Sequence, residues 1–207
     1  MKLNEGAILV LSGPSGAGKS SLINKIKDHI GDYYFSISTT TRDMRHGESD
    51  GVDYHFTSED EFKKDIEDEN FLEYAQVHGN YYGTSLKPVK DALRDGKLVI
   101  FDIDVQGHTA VQNRLADITS SVFITTPSLK ILKERLYKRD TDAQEIIENR
   151  IKMARIEVQR ISEYDYLIIN DDLDEASDRL ISIAKAARMK MPSMTINEFV
   201  RKWEVKS

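Results

Sequence analysis

The chain contains no cysteine. Disulfides and thiolate metal sites are therefore excluded, a composition that suits a reducing compartment. No apolar run approaches the ~20 residues that a membrane-spanning helix needs. The first residues, Met1-Lys2-Leu3-Asn4-Glu5-Gly6, have neither the hydrophobic stretch nor the small-residue cleavage site of a secretory signal. A cytoplasmic chain with no membrane attachment is expected. Positive charge is the scarcer sign, 29 Lys and Arg against 35 Asp and Glu, and a net charge of −6 argues against general nucleic-acid binding. The five histidines, His29, His46, His55, His78 and His108, show no metal-ligand spacing and read as surface or packing residues. Repeats, low-complexity tracts and linkers are also missing. What remains, 207 residues that are 40% hydrophobic and 31% charged, suits one globular domain and is cramped for two.

Strand-like and helix-like segments alternate. Ala7-Ile8-Leu9-Val10-Leu11 is a continuous apolar run ending in glycines, as a buried parallel strand reads. Leu22, Ile23, Ile26 and Ile30 recur at helical spacing before Gly31. Ser58 and Glu61 have capping-box form ahead of Phe62 and Ile66. The stretch 71–77 is strand-like, 88–94 a short helix ended by Gly96, and 98–102 an apolar strand closed by Asp102. A strand over 121–125, helices marked by Leu129, Leu132, Leu136 and by Ile147, Ile151, Ala154, Val158, and a strand over 166–169 follow. A helix carrying Ala176, Leu180, Ile183 and Ala187 comes next. Thr195 to Glu198 caps a last helix whose Phe199, Val200 and Trp203 should cover the core, a subunit contact being the alternative. This order predicts an α/β fold with a parallel sheet between two helical layers.

Gly13-Pro14-Ser15-Gly16-Ala17-Gly18-Lys19-Ser20 matches the phosphate-loop pattern, between an apolar strand and an amphipathic helix. A chance match in such a length has odds of roughly one in a hundred. Glycines let backbone N–H groups turn toward an anion, and the helix N-terminus adds positive potential. Lys19 can reach β- and γ-phosphates, and the Ser20 hydroxyl can ligate Mg²⁺. Asp102, ending a strand beside that loop, would meet the metal, through water. A nucleoside triphosphate is the expected ligand. One window reverses the overall charge: residues 130–160 hold nine basic and six acidic side chains.

Beyond the phosphate loop the chain resembles the guanylate kinase family along nearly its whole length. The matching segments are Ser38-Thr39-Thr40-Thr41-Arg42, Arg45 with Gly47-Glu48, Gly51-Val52-Asp53-Tyr54-His55-Phe56 and Phe71-Leu72-Glu73-Tyr74-Ala75. Gly79-Asn80-Tyr81-Tyr82-Gly83-Thr84, Asp102-Ile103-Asp104-Val105-Gln106-Gly107, then Arg135, Arg139, Arg150, Tyr164-Asp165-Tyr166 and Asn170-Asp171 complete them. The resemblance implies a single domain, with a core over 1–35, 97–129 and 163–207, an inserted GMP-binding region over 36–96 and a helical lid over 130–162. It implies ATP and GMP (with dGMP also accepted) as substrates, Mg²⁺ as cofactor and no obligate protein partner. Arg42, Arg45, Tyr54 and Tyr82 would hold the GMP phosphate. Glu73 would accept the guanine N1–H and N2–H₂, Thr84 would donate to O6, and Ser38 and Asp104 would complete that site. Lys19, Arg42, Arg135, Arg139 and Arg150 would neutralise the transferring phosphoryl group, and Asn170 would touch adenine. Asp140 departs from the family habit of a glycine after the lid arginine, which should favour an open lid. A GTPase is excluded because Asn24-Lys25 is followed by Lys27 where its guanine motif needs aspartate. A noncatalytic protein-binding module of this kind would have an eroded phosphate loop, whereas this one is intact.

Overall fold

The central strand β1 (Ala7–Ser12) is buried at every residue, and the molecule is layered around it. A computed structural model describes residues 6–45, 47–77, 79–138, 144–190 and 193–205. After β1 come α1 (Lys19–Ile26), β2 (Tyr33–Phe35), β3 (Thr39–Thr40), β4 (His55–Phe56) and α2 (Glu59–Glu67). They are followed by β5 (Phe71–Val77), β6 (Asn80–Ser85), α3 (Leu86–Arg94), β7 (Leu98–Asp102), α4 (Val105–Leu115) and β8 (Thr119–Thr125). The chain continues through α5 (Leu129–Lys138), α6 (Gln144–Glu157), β9 (Tyr166–Ile169), α7 (Leu173–Ala187) and α8 (Ser193–Val205). Five strands form a parallel sheet in the order β2-β7-β1-β8-β9. A smaller mixed sheet, β4-β3-β6-β5, is built from the segment between β2 and α3.

The period-two alternation of β1 divides the core. Leu9 and Leu11, with Leu98, Ile100, Val122 and Ile124, pack under Leu22 and Ile26 of α1 and Leu180 and Ala184 of α7. Ile8 and Val10, with Val99 and Phe101, face Val89 of α3, Val111 of α4 and Leu72 of β5. Helices therefore cover both faces, as the alternating pattern requires. On the smaller sheet Phe62 of α2 is fully buried and stacks on Phe71 and Tyr81, with ring centroids 4.4 and 5.3 Å apart. The Ser58 hydroxyl accepts Glu61 N–H, and Glu61 reaches back to Ser58 N–H, so the expected capping box starts α2.

Several boundaries differ from expectation. Helix α1 stops at Ile26 and a 3₁₀ turn (Lys27–His29) carries the chain to Ile30, which stays buried. β8 begins two residues earlier than Ser121. α6 ends at Glu157, so Val158 falls in a 3₁₀ segment and is exposed. Helix α8 starts at Ser193, and Trp203 is 70% exposed, with Ile196, Phe199 and Val200 also at the surface. Its apolar stripe does not cover the core. No helix among the described residues is long and apolar enough to cross a membrane. His29 and His55 are exposed, whereas His108 is buried and stacks on Tyr164 at 3.9 Å. His46 and His78 lie outside the described residues.

Truncating Phe62 to Ala should leave a cavity under the smaller sheet and cost about 3–5 kcal/mol of stability. Urea unfolding would register this as a lower midpoint; a midpoint like that of the parent chain would mean that α2 collapses onto the sheet without its ring.

Candidate active site

Because all five strands of the main sheet are parallel, the loops after β1, β7, β8 and β9 leave from one edge. The loop after β1 is forced into close contact with β8. Gly13 has φ +140°, and a Cβ there would lie 1.9 Å from the Ile124 carbonyl oxygen, so only glycine fits. Gly18, at φ +93°, caps α1, and a Cβ on it would strike the Asn170 amide at 2.3 Å. That amide is buried and donates to Ala17 O at 2.8 Å, bracing the loop from the end of β9. Lys19 donates to Gly13 O at 2.6 Å and its Nζ stands 3.8 Å from Asp102 Oδ1. A cavity of about 300 Å³ opens over the loop, lined by Gly13, Lys19, Ser20, Asp102, Asp104 and Glu157 among others.

A second cavity, about 480 Å³, joins the loop to the smaller sheet. Ser38, Tyr54, Glu73, Tyr82 and Asp104, all expected in one subsite, line it together with Ser15, Asp102 and Arg150. β5 delivers Glu73 and β6 delivers Thr84 in register opposite it. The Thr84 hydroxyl, buried, donates to Glu73 Oε1 at 2.6 Å. A hydroxyl has one hydrogen. In this arrangement it serves Glu73 rather than a ligand, and Thr84 orients the carboxylate. Burial raises the Glu73 pKa, the Thr84 bond pulls it back in part, and nearby Asp104 adds to the rise. Asp104 caps α4, its Oδ1 accepting Gln106 and Gly107 N–H at 2.9 and 2.8 Å, which leaves Oδ2 for the cavity.

The cations are divided. Arg42 lies behind Tyr54, its Cζ 5.3 Å from the ring centroid, and is paired with Glu48. Arg45 is exposed and lines neither cavity. Arg150, from α6, donates to the Ser15 hydroxyl at 3.1 Å and so stands between the two cavities. Arg135, from α5, lines a separate cavity of about 320 Å³ with Gly16, Gly18, Lys138 and Asn170. Arg139 and Asp140 lie outside the described residues.

Two acids escaped the sequence reading. Glu48 was visible only as part of a matching segment, six residues after Arg42 and three after Arg45. Glu157, the last residue of α6, has a buried Oε2 with no hydrogen-bond partner and lines the phosphate-loop cavity. Burial raises its pKa, the Lys19 charge opposes that shift and Asp104 adds to it. Its signal was helical phase: Arg150, Ala154 and Glu157 fall at i, i+4 and i+7 on one face.

Mg²⁺ takes hard oxygen ligands and usually keeps several waters, using one or two carboxylates and the substrate phosphates. The Ser20 hydroxyl, Asp102 and the unpartnered Glu157 oxygen around one cavity suit that chemistry. Among the described residues no group of three or more His, Asp or Glu side chains could hold a metal alone. A cation here would be held largely by phosphate and water.

A loop shaped to wrap a polyphosphate, with a second polar pocket across one cleft, defines a phosphate-loop phosphotransferase that acts on two ligands. The family model for guanylate kinase matches residues 5–187, and the chain belongs to that family. Guanylate kinase of Sulfurimonas denitrificans is 67% identical over 204 residues, 99% of each chain. That of Helicobacter hepaticus is 48% identical over 201 residues, 97% of this chain and all of that one. The crystal structure of guanylate kinase from Anaplasma phagocytophilum superposes with a TM-score of 0.75 at 34% identity, covering 90% of this chain and 88% of that one.

Asn170→Ala should raise the KM for the triphosphate several-fold while leaving that for the second ligand within about two-fold. It removes a buried hydrogen bond of the ~1–3 kcal/mol class that braces only the phosphate loop. Equal losses for both ligands would show that the amide supports the whole fold instead.

Proposed function

We infer that the chain transfers the γ-phosphoryl group of ATP to GMP, giving ADP and GDP. The observation that carries this reading is the buried Glu73 carboxylate, oriented by Thr84 on the wall of the second cavity. Guanine presents N1–H and N2–H₂ as adjacent donors, which one carboxylate can accept together. Adenine lacks N1–H and would leave Glu73 desolvated and unpaired, a mismatch that discriminates by ~10⁴ or more. Ser38 and the free Asp104 oxygen complete base recognition. The Thr84 hydroxyl, committed to Glu73 in the empty site, turns from it to donate to O6 as guanine takes the carboxylate. Arg42, Arg45, Tyr54 and Tyr82 hold the GMP phosphate, since guanidinium groups grip a dianion with paired hydrogen bonds and phenols add neutral donors.

The triphosphate lies on the loop from Gly13 to Ser20 and takes its backbone N–H groups apart from that of Ala17, which donates to Pro14 O at 3.1 Å, and Pro14, which has none; Lys19 stands at its β- and γ-phosphates. Asn170 lines the cavity beside Arg135 where the nucleoside end would extend. Mg²⁺, held by Ser20 and, through water, by Asp102, would supply charge neutralisation at the phosphates. A GMP phosphate oxygen forms the new bond to the γ-phosphorus while the β–γ bridging bond breaks and its electrons leave with ADP. The acceptor is already ionised, so no general base is needed. Lys19, Arg42, Arg135, Arg139 and Arg150 neutralise the two anions as they approach. The helical segment 130–162 closes as a lid over the core and excludes water, and 36–96 forms the acceptor region. The hydrogen bond of Arg150 to the Ser15 hydroxyl supports its part in this closure. A cytoplasmic setting, without an obligate protein partner, belongs to the same reading.

A coupled assay offering ATP with GMP, dGMP, AMP, CMP and UMP tests it. Turnover of GMP and dGMP alone is expected, and equal turnover of AMP would overturn it. Glu73→Gln separates function from stability. Its amide cannot accept both guanine donors, so kcat/KM for GMP should fall several-fold to ~10²-fold with the ATP KM unchanged. The raised folded pKa of Glu73 means that the folded state holds its proton more tightly than the unfolded chain. Stability therefore falls as pH rises from the unfolded value toward the folded one, and the neutral amide removes that loss. The Tm at pH 7 should therefore lie above that of the parent chain. A lower Tm would mean that the charged form is stabilised in the empty site.

A further inference from the structure

The loop between β3 and β4 places an acid among cations that would otherwise meet a dianion. Glu48 takes Arg42 Nη2 with both oxygens, at 2.8 and 2.9 Å, and its Oε2 also accepts Arg45 N–H at 2.8 Å. Arg42 Nη1 donates to Asp43 O at 2.6 Å. The Arg42 and Glu48 side chains are 12% and 19% exposed, so the pair is largely withdrawn from water. The guanidinium carbon lies 5.3 and 5.7 Å from the ring centroids of Tyr54 and Phe56, which form an aromatic floor. Glu48 is held by Nη2 and Asp43 O by Nη1, and Tyr82 is a further hydrogen-bond partner, so only part of the guanidinium's five-donor fork remains for a ligand.

We propose that Glu48 is a positioning residue for the acceptor phosphate, fixing Arg42 against Tyr54 and Phe56 so that its uncommitted donors meet the GMP phosphate. This rests on the reading that Arg42 contacts that phosphate. A carboxylate here also repels a dianion, so geometry and charge pull in opposite directions. Geometry wins for two reasons. The Glu48 charge is met at contact by Arg42, and a phosphate taken by the uncommitted donors of that guanidinium meets the cation at contact and the carboxylate only beyond it. An arginine without this grip would have to give up its rotamer freedom on each binding event. Glu48 also ties Arg45 N–H to the same point, so the two arginines of the loop share one anchor.

Glu48→Gln tests the assignment because the amide keeps the size but turns one acceptor into a donor facing other donors. The KM for GMP should rise about ten-fold, with kcat and the KM for ATP within about two-fold of the parent. Calorimetry with GMP alone should show the same ten-fold weakening. In an Arg42→Lys background the Glu48→Gln change should add less than about two-fold, since lysine cannot hold the planar grip. A GMP KM that is unchanged or lower in Glu48→Gln, while Arg42→Lys raises it, overturns the proposal and leaves the role of Arg42 standing. An Arg42→Lys variant with unaltered GMP kinetics overturns that underlying role instead. Additive losses in the double variant, accompanied by a lower Tm in Glu48→Gln, would assign Glu48 to holding the loop together and not to positioning Arg42.

Discussion

The molecule depends on the close approach of one backbone to another at the end of β1. Leu11 is in register with Asp102 on β7 and Ser12 with Phe123 on β8, so β1 and β7 finish within a residue of each other while β8 runs two residues farther. The chain must then reverse direction against the Ile124 carbonyl, which leaves no room for a side chain at Gly13. That turn aims the following amides toward the edge and sets the N-terminus of α1 there, making an anion site from backbone alone. Ser12 Oγ donates to Ile103 O at 2.8 Å, tying the loop after β7 to the same turn. Asp102 and Asp104 are thereby carried to the phosphate loop by main-chain geometry rather than by affinity for Lys19.

Acids accumulate around that edge. Burial raises the pKa of Asp102, opposed by the Lys19 charge, and burial likewise raises those of Glu73 and Glu157. An empty cleft holding several desolvated carboxylates is less stable than a hydrocarbon one of the same shape would be. The cost is recovered only when ligands arrive: a guanine edge for Glu73, and cations for Asp102 and Glu157. The arginines show the converse. Burial disfavours the Arg42 charge, but the hydrogen bond and charge of Glu48 outweigh it and leave the guanidinium pKa raised. Stability surrendered on the acidic side and pairing spent on the basic side together prepare one cleft for two anionic substrates.

The parallel core was legible because its strands are continuous apolar runs that need two covered faces; β7 and β9 carry the boundaries expected from their hydrophobic stretches. The phosphate loop was legible because its chemistry sits in consecutive residues. Of the smaller sheet, β5 was legible, its Phe71–Val77 span matching the expected strand, but its partners were not. β3 and β4 are two residues each, too short to show a period, and the aromatic pair in β6 reads equally as packing. α4 was missed because Gly107 and His108 interrupt its apolar pattern, although Asp104 was there to cap it. α8 failed differently: its periodicity is genuine, and the stripe faces outward. Glu48 and Glu157 have the composition of solvated residues, and only the fold reveals that their partners, or the lack of them, are buried.

Helix α4 explains how recognition of a base reaches the transfer site across two separate sheets. Its first turn is capped by Asp104, beside the phosphate loop, and Gly107 in that turn leaves space for Glu73, whose Oε2 would lie 3.2 Å from a Cβ there. Arg114, near its other end, donates to the Leu72 carbonyl at 2.6 Å and more weakly to Phe71 O at 3.5 Å. Those carbonyls immediately precede Glu73, where the β5–β6 register shifts. A bulge at that point lets a strand re-aim one side chain without disturbing its neighbours. One rigid helix therefore holds Glu73 from both sides, through a backbone clamp at its C-terminal end and a missing side chain at its N-terminal end. Because the cap of that helix is itself an acid of the cleft, the guanine-reading carboxylate and the phosphate loop share one mechanical frame. The gap between the sheets is then a place where substrates are aligned, and Glu73 need not be carried by a mobile loop.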